Sequence, residues 1–538
     1  MENGSVNDIL GVSCPSFYLL LATFLACVYL LYNQRSGAET WDKYGVKHAK
    51  LGIVGPRQAF TQLLQEYGDT VGFKRGPLTL LTKDLSIVRE VMIKDFTNFV
   101  DRTFALTSMS PVEKALFFLQ GRDWRRIRQI LSPAFSTGKL KQISRTVEER
   151  ARKLSRVLED YAKRDQLVPV KQNTGQYASE IIARMAFGIE TNCLGGPDDE
   201  FTHYSKTMLK PRSGFMTVVN IMIGQFPWLN RVLIKTLGIK LFDSVSYKSD
   251  KYFNSVLHTT LEDRLEKGRK GQSVPTDFIQ SLISARTPRQ QSTDDGAPVV
   301  QSRDQKLHNS EQNDSWSNLP KFLTEEELIA QSMLIIFAGF ETTATSLQMC
   351  FYNLAKYPEI QAKVYEELTQ VAASDVPTKD ELTRLVYMEQ FINETLRLYP
   401  PVPFVSRRAA ETRTYGSVTI PKGAGVTIPI FAILKDPRNF HDPERFDPDR
   451  FSEDNKSKRD PIAFMPFGCG PRTCIGLRLA YLELKMALVH VLRKVRFELN
   501  ERTEPRAGVH GCGEAGPTGR DASSFRIKRF SYFVFSHC

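Results

Sequence analysis

Between Phe464 and Ala480 the chain reads FMPFGCGPRTCIGLRLA, which sets Cys474 among Gly468, Gly470, Arg472 and Gly476 just ahead of a helix-forming run. These residue types suit one task. A helix N-terminus and a nearby cation favour thiolate over thiol, and glycines let backbone N–H groups approach an anion. Phe464, Phe467 and Ile475 would keep water away. A bare buried thiolate is costly, so the pattern makes sense where a metal takes the sulfur. On periodicity alone, a core cysteine in a glycine-rich turn would look the same. Cys469 reads as a small loop residue.

Three further constellations could do chemistry. LIIFAGFETTATSL puts Gly339, Glu341, Thr342 and Thr343 in the middle of an apolar helix running from about Thr324 to Leu354. A buried threonine often bonds back to a carbonyl one turn earlier. A carboxylate in a dry helix has no such excuse and needs a partner or a purpose. ETLRLYPP places Glu394 and Arg397 on one helical face, where they can pair. The same spacing recurs at Glu149–Arg152, Glu266–Arg269 and Glu381–Arg384, where solvated pairs are expected. WRRIR sets Trp124 and Arg128 on a shared face, with Arg125 and Arg126 expected at the surface.

The elements that must position these residues are mostly helical. Gly55 to Asp69 predicts a helix, TVGFKRGPLTLLTKD a hairpin, and helical periodicity dominates from Leu85. YGSVTIPKGAGVTIPI reads as a second hairpin, and DPRNFHDPERFDPDRF is too proline-rich for helix or sheet. Residues 287–317 are rich in Gln, Ser, Asp and Asn and read as a disordered surface loop. The fold class is mainly α with small β-sheets, forming one large domain over residues 41–498. Residues 499–538 form a Gly-, Pro- and charge-rich tail that ends in a strand-like aromatic run from Phe525.

Composition narrows the setting. The 538 residues are 41% apolar and carry a net charge of +12, which suits anionic lipid or an acidic protein partner. The chain has no zinc-finger spacing, no aromatic RNA-binding signature and no long basic arm, which argues against nucleic acid as a partner. Eight scattered cysteines without a CxxC pair point to a reducing compartment and away from structural zinc. Residues 9–32 are free of charge, with acids before them and Arg35, Lys43 and Lys47 after, so a retained single-pass signal anchor with the domain in the cytosol is expected.

Phe467, Gly470, Arg472, Cys474 and Gly476 spell F-x-x-G-x-R-x-C-x-G, which resembles the haem loop of the cytochrome P-450 family of haem-thiolate monooxygenases. The resemblance implies the P-450 fold and haem b with Cys474 as axial ligand. It implies haem propionates held by Arg472, Trp124 and Arg128, with Arg102 and Arg407 adding contacts. It also implies a Glu394–Arg397–Arg450 network, with Arg450 in FDPDRF, that braces the haem loop from behind. AGFETT is similar to the family's oxygen-side signature. There the glycine and threonine open a groove, Thr342 delivers protons and Glu341 is its acidic neighbour.

The chain has no GxGxxG fingerprint and no flavin domain, so electrons must come from outside. The family implies NADPH acting through a membrane-bound cytochrome reductase, with a b-type cytochrome as an optional second donor. It further implies the endoplasmic reticulum membrane and a lipophilic substrate such as a xenobiotic, steroid or fatty acid. LSPAFSTGKLKQI and the apolar block Phe215–Phe242 look most like the animal branch that holds the family-three liver enzymes and thromboxane synthase. The chain departs from the family pattern in a shortened hinge after the anchor and in the tail after Glu498. These departures leave open a catalytically defective or haem-deficient isoform. An oxygen-independent haem-thiolate isomerase is a further alternative.

Overall fold

The protein is described by a computed structural model over residues 40–49, 56–74, 77–103, 111–208, 246–275, 277–285, 322–372, 374–500 and 524–529. The anchor (9–32), the polar stretch (287–317), the Phe215–Phe242 block and most of the tail lie outside these residues.

Eight helices matter for the site: α1 (Pro56–Tyr67), α2 (Gly121–Leu131), α3 (Thr137–Lys163), α4 (Val170–Ile182), α5 (Tyr247–Arg269), α6 (Glu325–Lys356), α7 (Val386–Leu398) and α8 (Leu477–Leu492). Helix α6 starts where the sequence says it should. Thr324 caps Glu327 N–H, and the Glu327 side chain returns a bond to the backbone of Thr324. Its three leading glutamates each reach a different element: Glu325 lies near His258 of α5, Glu326 near Lys114 and Glu327 near Arg126 of α2. Among the described residues α6 is the one helix long and apolar enough to cross a membrane, yet most of it is buried in the protein. It crosses α4 closely. A Cβ on Gly339 would stand 3.2 Å from Ile182, and one on Gly175 would stand 3.6 Å from Phe340. The glycine of AGFETT therefore serves helix packing.

The first expected hairpin forms from β2 (Thr70–Lys74) and β3 (Leu78–Thr82). They join β1 (His48–Ala49), β8 (Gly425–Ile428) and β5 (Val405–Arg408) in a sheet ordered β1-β2-β3-β8-β5. The second expected hairpin does not form. β7 (Val418–Ile420) pairs with β6 (Arg413–Tyr415), whereas β8 runs parallel to β3 and antiparallel to β5. All four residues of β8 are buried, so it is a central strand and not the arm of an exposed ribbon.

The tail returns to the domain. β10 (Ser524–Arg529) inserts between β4 (Val168–Pro169) and β9 (Val495–Glu498), antiparallel to both. Ile527 is fully buried in the core shared by α3, α6 and α8.

Three apolar clusters converge on the cysteine loop. Phe467 packs against the cluster of α3, α7 and α8, Ile475 against that of α2, α4 and α6, and Phe464 with Cys469 against that of the β-sheet. A loop gripped by three cores has little room to rearrange.

Candidate functional site

The cysteine loop is built around two left-handed glycines, Gly468 (φ 73°) and Gly470 (φ 70°). A Cβ at Gly470 would stand 1.9 Å from the carbonyl oxygen of Met92, so only glycine fits. Arg472 follows in a short 3-10 turn, and the chain doubles back so that Cys474 N–H donates to Phe467 C=O at 3.0 Å. The backbone N–H groups of Gly476 and Leu477, which open α8, point at the thiol. A Cβ on Gly476 would lie 3.9 Å from Sγ.

Cys474 is reachable from solvent on one side and walled by protein on the others. The cost expected of a bare buried thiolate is visible in this thiol. Burial pushes the thiol above its ordinary pKa and outweighs the N–H groups, Arg128 and Arg102, which pull it down. Desolvation wins because the helix end is a fraction of a charge. Cys469 is pushed up to about 11, also by burial, against the pull of Arg407.

Facing the loop is a group of arginines. Arg102 is anchored through Phe117 C=O at 3.3 Å and lies 3.9 Å over the Phe117 ring. Arg472 donates to Leu119 C=O at 2.6 Å and lies 4.5 Å over the buried Trp124 ring. Arg407 is fully buried on β5 and donates to Ser406 C=O at 2.9 Å. Burial lowers Arg102 to about 9, Arg472 to about 8 and Arg407 to about 10. Mutual repulsion adds to this for Arg102 and Arg472, each of which feels Arg407 and Arg128. Burial lowers Arg128 too.

Nε of Arg102, Nε of Arg407, and Nε and Nη1 of Arg472 are buried without a hydrogen-bond partner. Among the described residues no carboxylate pairs with these arginines. The nearest to Arg472, Asp101, accepts from Gly121 N–H at 2.7 Å. Buried cations without counter-charge are strongly unfavourable. They fit a group that brings its own carboxylates, such as a haem with its two propionates. The sulfur fits the same group as an iron donor. No cluster of three or more His, Cys, Asp or Glu suited to a bare metal ion occurs among the described residues.

Behind the loop, Arg397 grips Glu394 in two parallel bonds, Nε–Oε2 at 2.7 Å and Nη2–Oε1 at 2.9 Å, both side chains fully buried. Arg397 also donates to the carbonyls of Leu434 (3.0 Å) and Arg445 (3.2 Å). Arg450 Nε lies 3.4 Å from Glu394, and its guanidinium holds the carbonyls of His441 and Asp442. The expected triad is therefore assembled. The other E-x-x-R pairs dissolve into different bonds: Glu148 takes Arg152, Glu266 takes Lys270 and Glu381 caps Thr378 N–H.

On α6, Thr342 bonds back to Ala338 C=O at 2.6 Å and Ser346 to Thr342 C=O at 2.8 Å. Glu341 departs from expectation. It is exposed with Ala338 on the open strip of α6, not sealed in a dry helix. Arg125 and Arg126 depart as well: both are half-buried, and Arg126 is paired with Glu327.

Glu483 was not foreseen. It is buried on α8, raised to about 8 by desolvation, and takes a hydrogen bond from Thr343, the neighbour of Thr342. Its one signal was a lone acid among the apolar residues of α8.

A thiol donor on a rigid loop, arginines awaiting carboxylates and a long helix with an open polar strip define a haem-thiolate protein. The match to the family model for Cytochrome P450 spans residues 51–511. Among curated relatives, Cytochrome P450 3A14 of Cavia porcellus is 30% identical over 502 residues, covering 90% of this chain and 92% of that protein. Cytochrome P450 3A5 of Homo sapiens is 31% identical over 517 residues, covering 92% and 94%. Cytochrome P450 3A41 of Mus musculus is 31% identical over 500 residues, covering 90% and 92%. The chain belongs to the cytochrome P450 family of haem-thiolate monooxygenases.

Proposed function

We propose that this chain hydroxylates lipophilic small molecules at a haem b whose iron is held by Cys474. The observation that carries the reading is the convergence of buried, unpartnered arginine donors beside a thiol that meets two backbone N–H groups. Arg102, Arg128, Arg407 and Arg472, with Trp124, would hold the propionates. When bound, the haem supplies oxygen activation, which thiolate ligation favours.

The chain's own part is positional and protonic. Phe467 C=O holds the backbone of Cys474 through its N–H, and the N–H groups of Gly476 and Leu477 orient the sulfur and moderate its charge. The apolar wall of Phe117, Phe118, Phe337 and Ile475 limits water. Thr342 would give up its bond to Ala338 to pass a proton inward, and the exposed Glu341 would take protons from solvent.

Electrons would come from NADPH through a membrane-bound reductase, with a b-type cytochrome as a second donor. Cations of α2 such as Arg125 and Arg126, the latter already paired with Glu327, would meet an acidic partner. The uncharged run 9–32 supports a single-pass anchor in the endoplasmic reticulum membrane with the domain in the cytosol. The reduced carbon monoxide difference spectrum tests the ligand. Thiolate ligation gives the red-shifted Soret band, and a band at shorter wavelength overturns the assignment. Expression with reductase and a mass-spectrometric screen of steroids, fatty acids and drugs tests the substrate class.

A further inference from the structure

Helix α7 carries two adjacent polar residues that brace different parts of the molecule. Glu394 holds Arg397 and the 445–450 segment. Asn393, the residue before it, offers its side-chain oxygen to the Tyr481 hydroxyl on α8 at 2.5 Å. The Tyr481 ring lies against Phe467, with centroids 5.5 Å apart and planes inclined by 38°. Phe467 C=O in turn receives the N–H of Cys474 at 3.0 Å. Burial, with Glu389 nearby, raises the phenol well above its ordinary pKa, so it stays a neutral donor across the working range.

A tyrosine packed against the core must place its hydroxyl somewhere, and packing alone would be satisfied with any carbonyl. Here the ring and the hydroxyl act on two different parts. The hydroxyl fixes the ring to α7, and the ring blocks Phe467 from sliding along α8. Phe467 stands one residue before Gly468, whose left-handed backbone would otherwise let the turn swing. The Tyr481 ring is thus one of the contacts that set the position of the carbonyl meeting the ligand's amide.

We propose that Tyr481 is a positioning residue for the haem ligand, acting through Phe467 and held by Asn393. The proposal rests on Cys474 being that ligand. A slack Phe467 would leave the hydrogen bond at the Cys474 amide intermittent and the sulfur less well placed for iron.

The experiment uses the full-length holoprotein and the variants Tyr481→Phe, Asn393→Leu and the two combined. It reads the carbon monoxide difference spectrum, the ferric/ferrous midpoint potential and the melting temperature. Tyr481→Phe keeps the ring and removes only the hydroxyl, so the fold should survive. Each single variant should raise the share of the short-wavelength band several-fold and shift the potential in the same direction. The double variant should do no more than either single, because one bond is lost in each case. Spectra and potentials equal to the parent's overturn the proposal, even where melting temperatures fall, since that pattern is a purely structural role. Additive effects overturn the shared bond and with it the proposal. A parent without the red-shifted band fails the ligand assignment itself. A normal parent with unaffected variants fails only the role of Tyr481.

Discussion

Gly470 and the carbonyl of Met92 meet so closely that a Cβ on the glycine would stand 1.9 Å from the oxygen. Gly470 is also left-handed, at φ 70°. Any side chain there must push the segment around Met92 out of the sheet-side core. Gly470→Ala should lose at least ~2 kcal/mol of stability and retain little haem after purification. The ratio of haem to protein absorbance and a denaturant melt check both outcomes.

Glu394 and Arg397 are a different case, a buried bidentate pair in which each partner leaves the other stranded. Either Glu394→Ala or Arg397→Ala should cost about 3–5 kcal/mol. Arg397→Lys should rescue little, because a single ammonium cannot hold the carboxylate and two carbonyls at once. Expression yield of holoprotein and urea unfolding measure the ranking.

The arginine group should separate haem affinity from apoprotein stability. Arg407→Met removes a buried cation, so haem-depleted protein should melt higher than its parent. If Arg407 holds a propionate as proposed, the same change should speed haem transfer to an acceptor globin roughly ten- to hundred-fold. Opposite movement of the two readouts is the diagnostic. If both fall, Arg407 is a structural residue only.

Thr342→Ala should leave haem binding intact and divert electrons. With reductase present, NADPH consumption should continue while product per NADPH drops several-fold and peroxide rises. Unchanged coupling would remove Thr342 from proton delivery.

Glu483 makes stability depend on pH. Its carboxyl is raised from about 4.5 to about 8 by desolvation, so the folded state holds this proton more tightly than the unfolded state. Below the unfolded pKa both states are protonated and nothing is lost. As pH rises toward the folded pKa, the unfolded state ionises first and stability falls, by up to about 5 kcal/mol. Glu483→Gln should therefore gain on the parent between pH 5 and pH 8, read as a widening difference in melting temperature.

What the sequence made legible was whatever lies within a turn or two of chain. The Cys474 turn, the Glu394–Arg397 pair and the start of α6 at Thr324 are local patterns and appear as expected. The failures are long-range. β8 looked like half of a hairpin because nothing in GVTI says that its partners are β3 and β5. Glu341 looked buried because its neighbours are apolar, but its stretch of α6 has an open side. Arg126 looked exposed until α6 delivered Glu327. The cost of a bare buried thiolate was readable from the apolar neighbours of Cys474, whereas how far burial outweighs the helix end and the arginines depends on packing. Tyr481 and Asn393 carry no motif at all, being joined only where α7 meets α8.

Strand β10 sits in the middle of its sheet yet is made after both of its neighbours. During synthesis β4 and β9 must wait as two raw edges, each a template for any passing extended chain. The domain can seal that flank only once the ribosome has delivered Ile527. A stop codon shortly after Glu498 would thus yield a chain with its haem loop complete and its side open, prone to stick to its own copies.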